Sequence, residues 1–479
     1  MRRILALIVA AGLGVAAFTM VEPAQPVAPE FGTTLPPEPD GAGGDPSVWY
    51  CSWVDSGALR DSSYDTAALI DVAALVTLPS PIPNEDADVL AFDVPGPAAV
   101  SVDTATVVRR GEAPGFVEFD DGPATASSVV WGDNVLTGDR CVASVPKIWH
   151  LSGGTTAEGF FLSLRLFNPF PENAKVSVNA VSEFGAEPLP ELSGFDIGGR
   201  SWVTIDLTRV IPFLDQVSFT VETEQGLVIP SLVLANESDE ASWPGTSQAT
   251  TWDFPIAADG NLDPSLVVTN TGSAETIVAI DVFSLDGPII DAFETVVPPV
   301  TPVRIALGDL AAPPFGVRVR SSAPVSAAVE AREPLPDPEV PPPEDAETTT
   351  TLAEGDEIVE DEVPVVITGL AGTVGSVEPS ARWLVPGVGL TPDTTATIWI
   401  MNTGPDAATV TVTDLSGDGP LLSEKRLVEG GSLVGIPLAT GDRPGVEGYL
   451  IESSEPISVA WSIAGERGVA FLAGVAVGE

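Results

Sequence analysis

Hydrophobic and polar residues alternate along short stretches of this chain, and the stretches come in pairs. In Thr409-Val410-Thr411-Val412-Thr413 the valines fall on one side and the threonines on the other. That period of two is what a half-buried β-strand requires. Thr395-Ala396-Thr397-Ile398-Trp399-Ile400-Met401 precedes it. Ser265-Leu266-Val267-Val268-Thr269 precedes Thr276-Ile277-Val278-Ala279-Ile280-Asp281-Val282 in the same way, across a Gly-containing turn. Hairpin-like pairs recur further on: Gly115-Phe116-Val117-Glu118-Phe119 before Ala126-Ser127-Ser128-Val129-Val130-Trp131, and Val217-Ser218-Phe219-Thr220-Val221 before Val228-Ile229-Pro230-Ser231-Leu232. Gly316-Val317-Arg318-Val319-Arg320 before Pro324-Val325-Ser326-Ala327-Ala328-Val329, and Gly448-Tyr449-Leu450-Ile451-Glu452 before Pro456-Ile457-Ser458-Val459-Ala460-Trp461, complete the set. No ten-residue window carries a helical period, so the predicted class is all-β.

The pattern is repeated. Trp252 is followed after 18 residues by Asn270, Trp149 after 19 by Asn168, and Trp383 after 19 by Asn402; Trp49-Tyr50-Cys51 is a weaker opener of the same kind. Each repeat offers about seven short strands over roughly ninety residues, the size of an immunoglobulin-like β-sandwich. The predicted fold is a tandem array of four such sandwiches, at residues 47–146, 147–249, 250–375 and 376–479. The opener tryptophans read as core residues that pin the first strand. The recurring asparagines read as turn caps, because Asn bonds its own backbone and tolerates left-handed geometry.

Residues 333–364 interrupt the third repeat, with eleven carboxylates between Asp337 and Glu362 and no Lys or Arg. Such a stretch buries no apolar area and is expected to be disordered. The fourth repeat turns at Gly465-Glu466-Arg467-Gly468 and returns as Val469-Ala470-Phe471-Leu472; the third shows a matching return only at Val365-Val366-Ile367-Thr368-Gly369-Leu370. The acidic stretch is therefore predicted to sit at the tip of the third repeat's last hairpin, with residues 325–332 and 365–370 as neighbouring strands.

Composition adds location. The chain of 479 residues exceeds what one core serves, and its 68 Asp plus Glu against 20 Lys plus Arg give a formal net charge of −48. That surface excludes nucleic acid as a partner, since phosphates need basic residues to neutralise them. Met1-Arg2-Arg3 before an uncharged run over residues 4–20 reads as an export signal or a membrane anchor. The proline-rich residues 21–46 then read as a stalk. If the leader stays uncleaved, residues 4–20 are the only expected membrane contact. An even cysteine count in an exported chain predicts one disulfide, Cys51–Cys141.

A likeness to a known family appears in these openers. Trp149-His150-Leu151-Ser152-Gly153-Gly154-Thr155-Thr156, then Phe167-Asn168-Pro169 and Ala174-Lys175-Val176-Ser177-Val178, resembles a secreted bacterial repeat opening with Trp-Tyr-Leu-Ala-Glu-Gly-Thr-Thr. Trp49-Tyr50-Cys51, with a second Cys late in its repeat, resembles the opener of an actinobacterial family of exported proteins of uncharacterised function. The chain departs from that pattern at His150, at Ser152 and after Cys51. The resemblance implies fold and export, and it brings no catalytic residues.

Candidate chemistry is sparse. His150 is the single histidine, at a position where the other repeats have Tyr50, Asp253 and Leu384, and reads as an ordinary strand residue. Asp414-Leu415-Ser416-Gly417-Asp418-Gly419 begins like a calcium loop, but its twelfth position is Lys425, so a hairpin turn is the better reading. Asp259-Gly260-Asn261-Leu262-Asp263 offers at most a weak surface calcium site. Trp131, Trp202, Trp243, Trp399 and Trp461 read as core filling before a sugar-stacking platform. No catalytic residue, metal ligand or cofactor is expected. The expected function is non-enzymatic, structural or adhesive, extracellular or at the cell envelope, with an envelope polysaccharide or protein as partner. The alternatives are a glycan-binding array and, last, a glycoside hydrolase using a carboxylate pair.

Overall fold

The computed structural model describes residues 48–57, 59–81, 85–108, 111–120, 122–133, 135–237, 239–333, 369–389, 394–416, 423–438, 446–465 and 468–478. The leader at 1–20, the stalk at 21–46 and the acidic stretch from 334 onward lie outside them. The chain divides into Met1–Gly43, outside the described residues, and one compact unit, Gly44–Glu479.

The alternating stretches form strands that pair into sandwiches. The first uses β1 (Val48–Cys51), β2 (Arg60–Ala68), β3 (Val72–Leu78), β4 (Asp88–Val94), β5 (Ala98–Asp103), β6 (Gly115–Phe119), β7 (Ala124–Gly132) and β8 (Val135–Arg140). The second uses β9 (Ile148–Leu151), β10 (Phe161–Asn168), β11 (Ala174–Ser182), β12 (Gly185–Glu187), β13 (Phe195–Ile197), β14 (Ser201–Asp206), β15 (Val217–Gln225), β16 (Ile229–Ala235) and β17 (Glu240–Pro244). The third uses β18 (Ala249–Ala258), β19 (Asp263–Asn270), β20 (Thr276–Ser284), β21 (Gly287–Val297), β22 (Thr301–Ala306), β23 (Phe315–Arg332) and β24 (Leu370–Val374). The fourth uses β25 (Ser380–Gly389), β26 (Thr394–Asn402), β27 (Ala408–Asp414), β28 (Ser423–Val428), β29 (Ser432–Leu438), β30 (Val446–Gly465), β31 (Gly468–Ala473) and β32 (Val475–Ala476). Among the described residues helix is limited to single turns such as Thr104–Val107 and Leu207–Val210.

One topology serves throughout. The first sandwich has sheets β1-β6-β3-β4 and β5-β2-β7-β8, and the second has β12-β11-β15-β9 and β14-β10-β16-β17. In the third and fourth, the long strands β23 and β30 each do the work of two, crossing from one sheet to the other. Each sandwich thus has at least eight strand positions rather than about seven, with β12 and β13 sharing one in the second and β32 adding a short ninth in the fourth. The position that sequence reasoning blurs is the fourth, an edge strand whose mostly exposed residues weaken the alternation, as in β28.

The four opener tryptophans make the same kind of bond. Each indole N–H donates to a carbonyl where the chain changes sheets: Trp49 to Ala124 (3.0 Å), Trp149 to Val228 (2.9 Å), Trp252 to Val325 (3.0 Å) and Trp383 to Ile457 (3.0 Å). All four rings are buried. A buried tryptophan needs a partner for its N–H, and this one ties the first strand across the core to the crossover. The asparagines act as turn caps. Asn270 Oδ1 accepts the Gly272 N–H, and its amide donates to the carbonyls of Ala274 and Val297. Asn168 and Asn402 make the equivalent bonds. None of the three is among the residues with positive φ, so hydrogen bonding selects Asn here and left-handed geometry does not. In the first sandwich the position belongs to Ala68, which pairs with Ala98 as Asn270 pairs with Thr301.

Arg332 pairs with Leu370 and Ala328 with Val374, so the chain between 333 and 369 connects two antiparallel neighbours. Residues 365–368 lie outside the described residues, and the described partner strand begins at Leu370.

The arrangement of sandwiches differs from a linear array. An array has a junction only between successive members; here the last also packs on the first. Ser127 Oγ donates to the Pro386 carbonyl (3.1 Å), the Ala99 N–H donates to Leu415 (3.2 Å), and Val129 and Leu136 join the core of the fourth sandwich. The compact unit is a closed ring.

Candidate functional site

The eighth strands, β8, β17, β24 and β31, are edge strands that would face water in isolated sandwiches. In the ring they meet, β8 and β24 each packing on both β17 and β31. Exposed strand edges invite unwanted pairing, and mutual burial removes that hazard. Burial creates another demand, because backbone N–H groups at the strand starts need acceptors.

Asp239 supplies them. In the second sandwich Asn236, after β16, and Asp239, before β17, bond each other, and the Asp239 side chain enters the junction. Its Oδ1 accepts the N–H of Leu136 from the first sandwich (2.9 Å). Its Oδ2 accepts those of Leu370 from the third (3.0 Å) and Val469 from the fourth (3.1 Å). One carboxylate, 2% exposed, thus bonds all three other sandwiches. Burial pushes this carboxyl well above its usual range, while the N–H groups of Leu136, Glu240, Leu370 and Val469 pull the other way. Gly369 (φ 119°) and Gly468 (φ 143°) allow the close approach, since a Cβ on either would run into the Asp239 side chain.

Each junction carries its own buried polar bonds. Between the first and second, Arg165 pairs with Glu112 (2.7 Å) and lies over the Trp53 ring (5.3 Å), and Arg60 pairs with Glu240 (2.6 Å). Between the second and third, Glu330 accepts the Gly154 N–H (2.6 Å) while paired with Arg304 and Arg332 (2.8 and 2.5 Å). Burial opposes ionisation of Glu330, but the two arginines and the Gly154 N–H overcome it and hold its pKa down at about 2. Between the third and fourth, Asp253 takes a two-pronged bond from Arg318 (2.6 and 2.7 Å) and a third from Ser458 Oγ (2.7 Å). Charge-assisted bonds of this kind are the stronger ones, and they make sense only with both partners in place.

Cys51 and Cys141 form a disulfide. His150 is a strand residue pairing with Thr220 and Thr246, its Nδ1 3.3 Å from the Thr220 hydroxyl. Tyr50, His150 and Asp253 share one role: each bridges to the chain leaving its own sandwich, at Val142, Thr246 and Ser376. Asp414 accepts from Ser416 in a turn whose continuation, 417–422, lies outside the described residues. Asp259 accepts from Ser462 Oγ across a junction (3.2 Å). Among the described residues, no three His, Cys, Asp or Glu are grouped to hold a metal ion. Of the ten tryptophans, eight are buried and two, Trp131 and Trp202, are half-buried. Trp202 donates to Glu112 (3.0 Å) and Trp243 to the Ser152 carbonyl (2.9 Å). Asp239 was not foreseen: nothing local separates it from the other 67 acidic residues.

His150 gives a pH prediction. Burial lowers its pKa from 6.5 to about 4. Between those values the unfolded chain takes up a proton that the folded chain refuses, so stability falls as pH drops from about 6.5 to 4, by at most about 3 kcal/mol. Asp65, raised to about 6 by burial against its Ser101 and Ser63 bonds, works in the opposite direction. The difference between the native chain and His150→Gln isolates the histidine. The variant is expected to lose less stability on acidification in urea unfolding; parallel pH curves would refute the role of burial.

Comparison with known proteins adds a family. No curated protein matches the chain. One solved structure, the crystal structure of Thermotoga maritima 1070, is similar at 22% identity over 19% of this chain and 84% of that one, with a TM-score of 0.17. Residues 87–355, more than half the chain, match a family of unknown function, DUF5719. They run from β4 across the whole second sandwich to beyond β23 in the third. This chain belongs to the DUF5719 family.

Proposed function

We propose that this chain is a non-enzymatic structural or adhesive protein, exported and held at the cell envelope. The observation that carries the reading is where the buried charges go. Of the described carboxylates at most 2% exposed, Asp239, Glu330 and Asp253 bond across junctions and Asp65 bonds within its own sandwich, so most of the acids furthest from water join sandwich to sandwich. A body built this way presents a fixed outer surface, which suits load-bearing or attachment. The apolar run over residues 4–20 after Arg2-Arg3 supports export, and the −48 charge supports a solvated surface. Burial of eight of the ten tryptophan rings favours this reading over a glycan-stacking array, which needs open aromatic faces.

The test is fractionation of cells making the tagged full chain, followed by a pull-down from isolated envelope. Recovery with the envelope and capture of envelope protein are expected. Recovery in the cytoplasm sinks the export reading, and selective retention of a polysaccharide replaces the structural role with a lectin-like one.

A further inference from the structure

The fourth strand of each sandwich lies at a sheet edge, and three of the four edges are guarded. Guarding means charge, brevity or few apolar side chains, which deny a foreign strand a place to add. On β28, Glu424, Lys425 and Arg426 are exposed, with Leu427 the one large exposed hydrophobic residue. β4 exposes Val89 alone among its large hydrophobic residues, and β12 and β13 are three residues each and expose none. β21 breaks the rule. It is eleven residues long, pairs with β20 on one side, and exposes Ile289, Ile290 (58%), Phe293 and Val296. Ile277, opposite Val296 on β20, continues the apolar strip. Of the sixteen large hydrophobic residues exposed among the described residues, seven fall within 277–300. Ile289 and Phe293 lie opposite the buried Val282 and Ile280, and Val296 lies opposite the exposed Ile277, so the exposed apolar residues flank the β21 edge on both faces. Such concentration along one edge marks an interaction site.

Charge selects the occupant. Glu275, Asp286 and Glu294 flank the exposed apolar residues in sequence and are themselves exposed, and no Lys or Arg occurs from Asn270 to Val300. Arg320, bound to Asp281 and Asp291, is already matched by carboxylates. A second copy would bring its own acidic border and another −48. A cationic strand meets the border favourably, its apolar residues covering the strip and its backbone extending the sheet.

We propose that β21 is a docking edge for an extended segment of another protein in which apolar residues alternate with Lys or Arg. The proposal does not depend on the envelope location.

The test is fluorescence anisotropy at physiological salt with the full chain and labelled ten-residue peptides. An alternating Val-Lys peptide is expected to bind at least about tenfold tighter than a Gly-Lys peptide of equal charge, and a Val-Glu peptide to bind weakest. Ile290→Lys and Val296→Lys, both at exposed positions, are each expected to weaken Val-Lys binding about tenfold, whereas Val89→Lys on the equivalent edge β4 leaves it unchanged. Equal binding of the Gly-Lys peptide reduces the effect to bulk charge and overturns the proposal. So does indifference of binding to both β21 substitutions. Sedimentation showing a dimer that Ile290→Lys dissolves overturns it in favour of a second copy.

Discussion

Asp239→Ala is expected to lower the stability of the compact unit by about 5 kcal/mol, the largest effect of any single substitution discussed. The physical cause is the loss of an acceptor. Three buried N–H groups, at Leu136, Leu370 and Val469, each lose their bond to this carboxylate. An orphaned buried donor costs about 1–3 kcal/mol, and three of them in one place outweigh the relief of uncovering a buried carboxyl. The Asp239 carboxylate bonds all three other sandwiches, so the damage falls on their mutual packing more than on any one core. Urea unfolding followed by tryptophan fluorescence is expected to split from one transition into more than one, with new protease cleavage at the junctions. Asp239→Asn separates charge from acceptor capacity: its amide nitrogen cannot accept, so it keeps part of the bonding at best and falls between the two. A native-like midpoint for Asp239→Ala would falsify the hub.

The second large effect concerns Cys51–Cys141. Joining residues 90 apart in sequence restricts the unfolded chain, worth about 4.5 kcal/mol at most on the loop-entropy account. The bond fastens the end of β1 beside the Tyr50–Val142 bridge, whose two backbone hydrogen bonds are 2.8 and 2.9 Å. The matching bridges His150–Thr246 and Asp253–Ser376 hold without a disulfide. The first sandwich also lacks the buried asparagine cap, having Ala68 in its place. The Cys51→Ser, Cys141→Ser double variant is expected to lose about 3–4.5 kcal/mol, with the first sandwich unfolding ahead of the rest in hydrogen exchange. Uniform loss of protection around the whole ring speaks against a local staple. An unchanged unfolding midpoint removes the stabilising role altogether.

Strand positions were legible because the signal is local. Val410 and Val412 point inward whatever lies beyond the sheet, and so do Leu266 and Val268. The Trp-to-Asn spacing was legible for a related reason: both residues act inside one sandwich, the indole on the crossover and the asparagine on its own turn. The disulfide followed from counting, since two cysteines allow one pairing. Ring closure was hidden because it depends on contacts such as Ser127 with Pro386, 259 residues apart. Arg304 and Arg318 look alike in the sequence, yet one meets Glu330 at the junction of the second and third sandwiches and the other meets Asp253 at that of the third and fourth. The exposed edge of β21 was also missed, because Ile289-Ile290 in a strand reads as core until the neighbouring elements are known to leave it uncovered.

By itself the amino-acid sequence determined the all-β class, the anchoring tryptophans and the asparagine caps. Each rests on periodicity or on bonds within one repeating unit, where local stereochemistry decides. The tertiary structure alone decided that the sandwiches close into a ring, that Asp239 holds its centre, and that β21 keeps an open edge. Those depend on which surfaces meet, and a hydrophobic pattern states that a face is buried without stating against what.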